Sequence, residues 1–308
     1  MSTQTTMWLG FAVLLTVVFT LDLGIFSRKS HEVKFREALI WTLAWVSLAF
    51  AFNAWIYFYL GPTKALEFFT GYIIEESLSV DNLFVFIMIF SYFNVSKTHQ
   101  PKILKWGIIG ALVMRGIFIF GGIGLLERFH WMIFIFGGLL VFTGIKMLFG
   151  KNWKLTPEKN LLVRLVGRFF TVTTDSRSDR FFSKPGGKVA VTHLFLTLLV
   201  VESSDVIFAM DSIPAILAVT RDPFIVYTSN VFAILGLRSL YYLLANVMDM
   251  FVYLKTGISF ILAFVGMKMI ISDYYPIPIH ISLMVIVAVL AIAVIASVTI
   301  GKKRPLHF

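Results

Sequence analysis

The 308-residue chain contains no cysteine. Disulfides, thiolate metal sites and thiol redox centres are therefore excluded, along with the soft-metal chemistry that sulfur supports. Histidine is scarce too: His31, His99, His130, His193, His280 and His307 all fall in loops or at the ends of apolar runs. Zinc and copper, which lean on imidazole and thiolate, find no ligand set here. Charge is thin, with 14% charged against 58% hydrophobic residues and a mean hydropathy of +0.85. A soluble domain of this length cannot hide so much apolar surface in one core, so composition predicts an all-α polytopic membrane protein. No cleavable signal peptide is expected, since the first apolar run is full length and no basic segment precedes it. The 32 Phe residues read as lipid-facing or packing groups rather than a cofactor box.

What is present is a series of long apolar runs. A helix needs about 20 such residues to cross the hydrocarbon core. That ruler predicts spans near 7–26, 38–60, 67–92, 103–126, 131–149, 190–219, 224–246, 253–272 and 278–300. The sixth run is too long for one straight crossing, and Pro214 is expected to break it. With the N-terminus outside, twenty Lys and Arg fall in inner loops and three, Lys64, Arg128 and Arg221, in outer ones. One miscounted helix would scramble so uneven a split, which predicts N-terminus out and C-terminus in. The net charge of +10 therefore sets topology, and no nucleic-acid partner is expected. The 150–189 connection is the only sizeable polar segment and reads as a flexible cytoplasmic linker rather than a regulatory or partner-binding element. Within it, Leu161-Leu162-Val163-Arg164-Leu165-Val166 has the character of a short surface helix.

Two acidic stretches stand inside the apolar runs. One is Glu75-Glu76-Ser77-Leu78-Ser79-Val80-Asp81-Asn82; the other runs from Glu202 through Asp205 and Asp211 to Pro214. They head two similar halves, for a shift of 130 residues lays Glu75-x5-Asp81 over Asp205-x5-Asp211. Arg115 then corresponds to Arg238, and Phe142-Thr143-Gly144-Ile145-Lys146-Met147 to Phe264-Val265-Gly266-Met267-Lys268-Met269. Each half holds three spans, so the second starts from the opposite side of the membrane. That predicts an inverted repeat with a site near the midplane. The expected organisation is a two-helix flank (1–66), a first repeat (67–149), the loop (150–189), a second repeat (190–272), and a last helix with a basic tail (273–308).

Ionisable groups at membrane depth are expensive and normally functional. Seven acids (Asp22, Glu75, Glu76, Asp81, Glu202, Asp205, Asp211) face four bases (Arg115, Lys146, Arg238, Lys268) within the spans. Lys146 and Lys268 lie near span ends, where they are expected to snorkel. Arg115 and Arg238 are mid-span and are expected to pair with acids or organise the repeat interface. A surplus of acid remains, which a pure salt-bridge lattice does not need. Oxygen ligands from these acids, Asn82, Ser79, Ser204, Ser212 and freed carbonyls suit a hard divalent cation: Mn²⁺, Mg²⁺ or Ca²⁺. Glu202 and Asp205 share a helix face, while Asp211 lies half a turn away, so a single three-acid site requires unwinding near 209–213, beside Pro214. Glu76 points about 100° from Glu75 and is left out of the site. Asp22 near the inner end of its span reads as an interfacial acid.

These motifs resemble the TerC/Alx family of bacterial integral membrane proteins. The resemblance is carried by Glu75-x-Ser77-Leu78-Ser79-x-Asp81-Asn82, by Glu202-x-Ser204-Asp205-Val206-Ile207-Phe208-Ala209-x-Asp211-Ser212-Ile213-Pro214-Ala215, and by Thr228-Ser229-Asn230-x-Phe232-Ala233-Ile234-Leu235-Gly236-Leu237-Arg238. It implies inverted three-helix repeats, the bacterial cytoplasmic membrane, a link to tellurium resistance, and export of manganese. It also implies a metal site of Glu75, Asp81, Glu202, Asp205 and Asp211, with Asn82, Ser204, Ser212, Pro214, Arg115 and Arg238 in support. The expected partners are a divalent cation and protons, membrane lipid, and a homo-oligomer or membrane complex; Mn²⁺ is cargo, and no permanent cofactor or enzymatic activity is expected. Two other readings remain open: an exporter of an anion or amino acid using Arg115 and Arg238, and a non-transporting stress scaffold working through the 150–189 loop.

Overall fold

In lipid, an apolar run can satisfy its own N–H and C=O groups only as a helix. The computed structural model describes residues 3–26, 33–129, 131–149, 171–172, 180–183, 190–245, 253–272, 274–275 and 277–300. Nine helices form among them: α1 (Thr3–Phe26), α2 (Phe35–Leu60), α3 (Pro62–Tyr92), α4 (Gln100–Arg128), α5 (Met132–Phe149), α6 (His193–Leu217), α7 (Pro223–Ala245), α8 (Leu254–Ile271) and α9 (Ile279–Ile300). Seven are long and apolar enough to cross a membrane by length and composition, α1 and α3 being the others. The chain is a polytopic α-helical membrane protein, and each helix coincides with one predicted span.

α2 and α3 are joined through Gly61 alone, at φ 92°, a left-handed conformation that a side chain would strain. Pro62 then starts α3 where a missing N–H costs nothing. α7 is the most enclosed helix: α2, α3 and α4 pack around it, and nearly all its residues are buried. Its N-terminal half is wrapped by rings, with Phe232 against Phe52 at 4.7 Å between centroids and Trp8 edge-on to Phe224 at 5.2 Å. α5 and α8 make the most extensive helix pair. Their backbones touch, because a Cβ on Gly144 would meet Ser259 O at 2.7 Å and one on Gly266 would meet Gly137 O at 2.6 Å. As the numbers rise along α5 they fall along α8, so the pair is antiparallel.

Two expectations are corrected. α6 does not break at Pro214; it runs as one 25-residue helix with the proline inside. Pro214 lies three residues from the helix end, where one lost N–H bond leaves the earlier turns intact, and Ala218 N still reaches Pro214 O at 3.0 Å. Lys268 does not snorkel: it is 7% exposed, because α8 packs between α5 and α9. Lys146, its counterpart on α5, is exposed as expected. The polar connection contributes a small three-stranded sheet, β1 (Thr171–Val172), β2 (Phe182–Ser183) and β3 (Ala190–Val191), in the order β1-β3-β2. β3 pairs parallel with β1 and antiparallel with β2. The Leu161–Val166 stretch, the basic tail beyond residue 300 and the side chains of Asp22 and Asp81 lie outside the described residues.

Candidate functional site

Arg115 lies at the middle of α4 and is 1% exposed. A guanidinium keeps its proton under any ordinary condition, so such burial demands anionic partners. Asp205 on α6 supplies both carboxylate oxygens: Arg115 Nε donates to Oδ2 at 3.3 Å and Nη2 to Oδ1 at 3.0 Å. Nη1 donates to Glu75 Oε1 on α3 and to Asn230 Oδ1 on α7 at 3.2 Å. Asn230 closes the ring by donating Nδ2 to Glu75 Oε2 at 3.0 Å. Four helices thus meet on one guanidinium, and two buried carboxylates share its single positive charge.

Glu202 lies about one turn before Asp205 on the same face of α6. It lines a narrow crevice with Asp205, Arg238, Phe86, Leu104 and Leu237. Its carboxylate rests over Gly110 of α4, where any Cβ would collide with it. Glu202 makes no hydrogen bond or ion pair among the described residues. Asp211 faces the other way, as an unbroken helix requires, and accepts a 2.9 Å hydrogen bond from Thr143 Oγ1 of α5. The four expected acids with described side chains therefore separate into three places: Glu75 and Asp205 on Arg115, Glu202 in the crevice, and Asp211 against α5. Among the described residues, no three of His, Cys, Asp and Glu converge on a point where they would hold one metal ion.

The supporting residues are placed as follows. Ser204 turns its hydroxyl to Val200 O of its own helix at 2.8 Å. Asn82 is buried, and the buried hydroxyls of Ser79 and Ser212 have no hydrogen-bond partner among the described residues. Glu76 stays out of the Arg115 ring: its Oε2 is buried without a hydrogen bond among the described residues, and its other oxygen lies toward Gly236 of α7. Arg238 is buried on the crevice wall. Three contributors escaped sequence reasoning: Asn230, Thr143 and Gly110. Asn230 carried a usable signal, being a carboxamide in the middle of an apolar span; a threonine and a glycine are too common in membrane helices to stand out.

The profile of the integral membrane protein TerC family matches residues 60–305, which hold every residue of the Arg115 ring, the crevice and the Asp211 contact. The chain belongs to the TerC family. An uncharacterized membrane protein of Myxococcus xanthus is 48% identical over 299 residues, covering 97% of this chain and 94% of its own. The Alx protein of Escherichia coli K12, named as a candidate membrane-bound redox modulator, is 44% identical over 307 residues, with 97% and 96% covered. A membrane protein of Rickettsia bellii is 36% identical over 291 residues, with 94% and 96% covered. No solved structure matches.

Proposed function

We propose that this TerC-family protein is a transporter of the bacterial cytoplasmic membrane that exports a divalent cation, Mn²⁺ by family resemblance, in exchange for protons. The observation that carries the reading is the state of its carboxylates. Glu75 and Asp205 share one guanidinium, and Glu202 stands beside them with no ion pair among the described residues. Buried charge of this sign, left short of cations, is an arrangement with a use for a mobile one. Arg115 then serves as an internal counter-ion. It holds Glu75 and Asp205 while no cargo is present, and a divalent ion drawn in at Glu202 competes for them. Protons arriving on released carboxylates complete the exchange.

An inverted repeat is the architecture that suits this cycle, and the contacts of α5 and α8 support it. A shift of 122 residues lays Gly144 over Gly266 and Gly137 over Ser259. Under that shift, the contact of Gly144 with Ser259 and Ala263 becomes that of Gly266 with Gly137 and Val141. The packing of α3 on α7 and of α4 on α6 exchanges in the same way. Reciprocal contacts between antiparallel helices are what a two-fold axis in the membrane plane produces.

Export of an anion or amino acid through Arg115 is the weaker reading, since two carboxylates and Asn230 already engage that guanidinium. The description of the Alx relatives as redox modulators reaches this chain through its cargo, because a cysteine-free protein has no thiol to exchange. Cell-associated manganese in a strain relying on this protein tests the proposal. Glu202→Gln and Asp211→Asn are each expected to raise it; normal efflux by both variants would end the reading.

A further inference from the structure

The two ends of the bundle differ. At the end where α3 begins and α6 passes into α7, four side chains tie the proposed repeats together. Lys64 Nζ lies 2.9 Å from Glu67 Oε2 one turn along α3 and 2.9 Å from Asp222 Oδ2 in the α6–α7 connection. Thr220 Oγ1 donates to the same Glu67 Oε2 at 2.7 Å. Asp222 is fixed in turn, its Oδ1 accepting from the N–H groups of Phe224 and Ile225 at 3.0 and 3.4 Å and so capping α7. One turn further in, Gly71 of α3 packs on the Ser229 hydroxyl of α7 so closely that a Cβ would stand 2.9 Å from it.

Among the described residues, the opposite end is open. A cleft of ≈ 370 Å³ lies between the last turns of α3, the start of α4 and the last turns of α7, lined by Phe90, Ser91, Asn94, Gln100 and Tyr241. The Glu202 crevice is one helical turn deeper along two of these walls, from Phe90 to Phe86 and from Tyr241 to Leu237 and Arg238. By the distribution of basic residues, the tied end is outside and the cleft inside.

We propose that Lys64, Glu67, Thr220 and Asp222 form a latch that seals the outer end of the path while the inner end is open, and that it must part before cargo can leave. The inference rests on the transporter reading. A conformational tie fits these residues better than a ligand site, because Lys64 already neutralises one of the two acids and Thr220 and the α7 N-terminus take up the rest. The latch is partly exposed at Lys64 and Asp222, where water and ions can compete for the pair, so it can open without a large barrier.

The absence of cysteine makes a clean test possible. Ser229→Cys places one thiol, fully buried, behind the latch. In intact cells, a membrane-impermeant maleimide is expected to label it slowly with Lys64 in place. Lys64→Met, Glu67→Gln and Asp222→Asn should each speed labelling at least threefold, and Lys64→Arg should keep it slow. Tyr274→Cys, exposed in the last outer turn, should label at one rate in all backgrounds and certifies inserted, correctly oriented protein. Equal rates at Ser229→Cys across the latch variants, with Tyr274→Cys labelling normally, overturn the latch. No labelling of Tyr274→Cys from outside overturns the orientation and the latch's outer placement with it. The assay needs no cargo, so a failed latch and a failed manganese reading give different results.

Discussion

Arg115 holds Asp205 through two nitrogens, Nε and Nη2, at 3.3 and 3.0 Å, across ninety residues of chain. Bidentate geometry of this kind is specific to a guanidinium and fixes α4 against α6 in angle as well as distance. Because Glu75 and Asn230 complete the same ring, the consequences of altering any member spread over four helices.

Arg115→Met leaves Glu75 and Asp205 buried without a counter-ion, and removal of one partner from a buried pair costs about 3–5 kcal/mol. The variant is expected to melt at lower temperature in detergent, followed by size-exclusion fluorescence. Asp205→Asn in the Arg115→Met background should recover part of the loss. A simple sum of the two single losses would show that the pair is not coupled.

Gly110→Ala sets a methyl group against the Glu202 carboxylate. The far end of a long side chain gives way, so stability should change by about 1 kcal/mol or less. Transport should fall on the order of tenfold or more, because a displaced carboxylate no longer faces the crevice. Gly121→Ala, with open space around it, is the control and should transport normally.

Gly266→Ala and Gly144→Ala each force a Cβ onto the backbone of the facing helix. Each is expected to cost about 1–3 kcal/mol, measured by thermal unfolding. The double variant should lose less than the sum, since the first methyl already separates α5 from α8. Additive losses would argue against reciprocal contact.

Thr143→Val removes the hydrogen bond to Asp211 while keeping the shape of the side chain. Hydrogen bonds to charged groups are worth about 1.5–3 kcal/mol. Manganese efflux should drop part of the way toward that of Asp211→Asn, and the two changes together should behave like Asp211→Asn alone.

Much of this architecture was legible in the sequence because its causes are local. Span length and apolar content placed nine helices to within a few residues, since lipid permits little else. That Arg115 pairs with acids was readable as well: a mid-span guanidinium has no other way to be buried. Which acids it takes was not readable, because Glu75 and Asp205 meet only through the packing of α3 on α6. Pro214 misled for a related reason. Its effect depends on distance from the helix end, and that end is set by the turn at residues 218–219. With α6 continuous, one acid from each stretch, Glu75 and Asp205, stands on the same arginine.

The Arg115 ring also bears on how such a chain is made. A helix with a central arginine is a poor candidate to leave the translocon alone, at about 2.5–3.5 kcal/mol on insertion scales. Glu75 is synthesised forty residues before Arg115, on the preceding helix, whereas Asp205 follows ninety residues later. The α3–α4 hairpin can therefore enter the bilayer with Arg115 already set against one carboxylate. It then waits, half satisfied, until the second half of the protein emerges to claim the remaining side of the guanidinium.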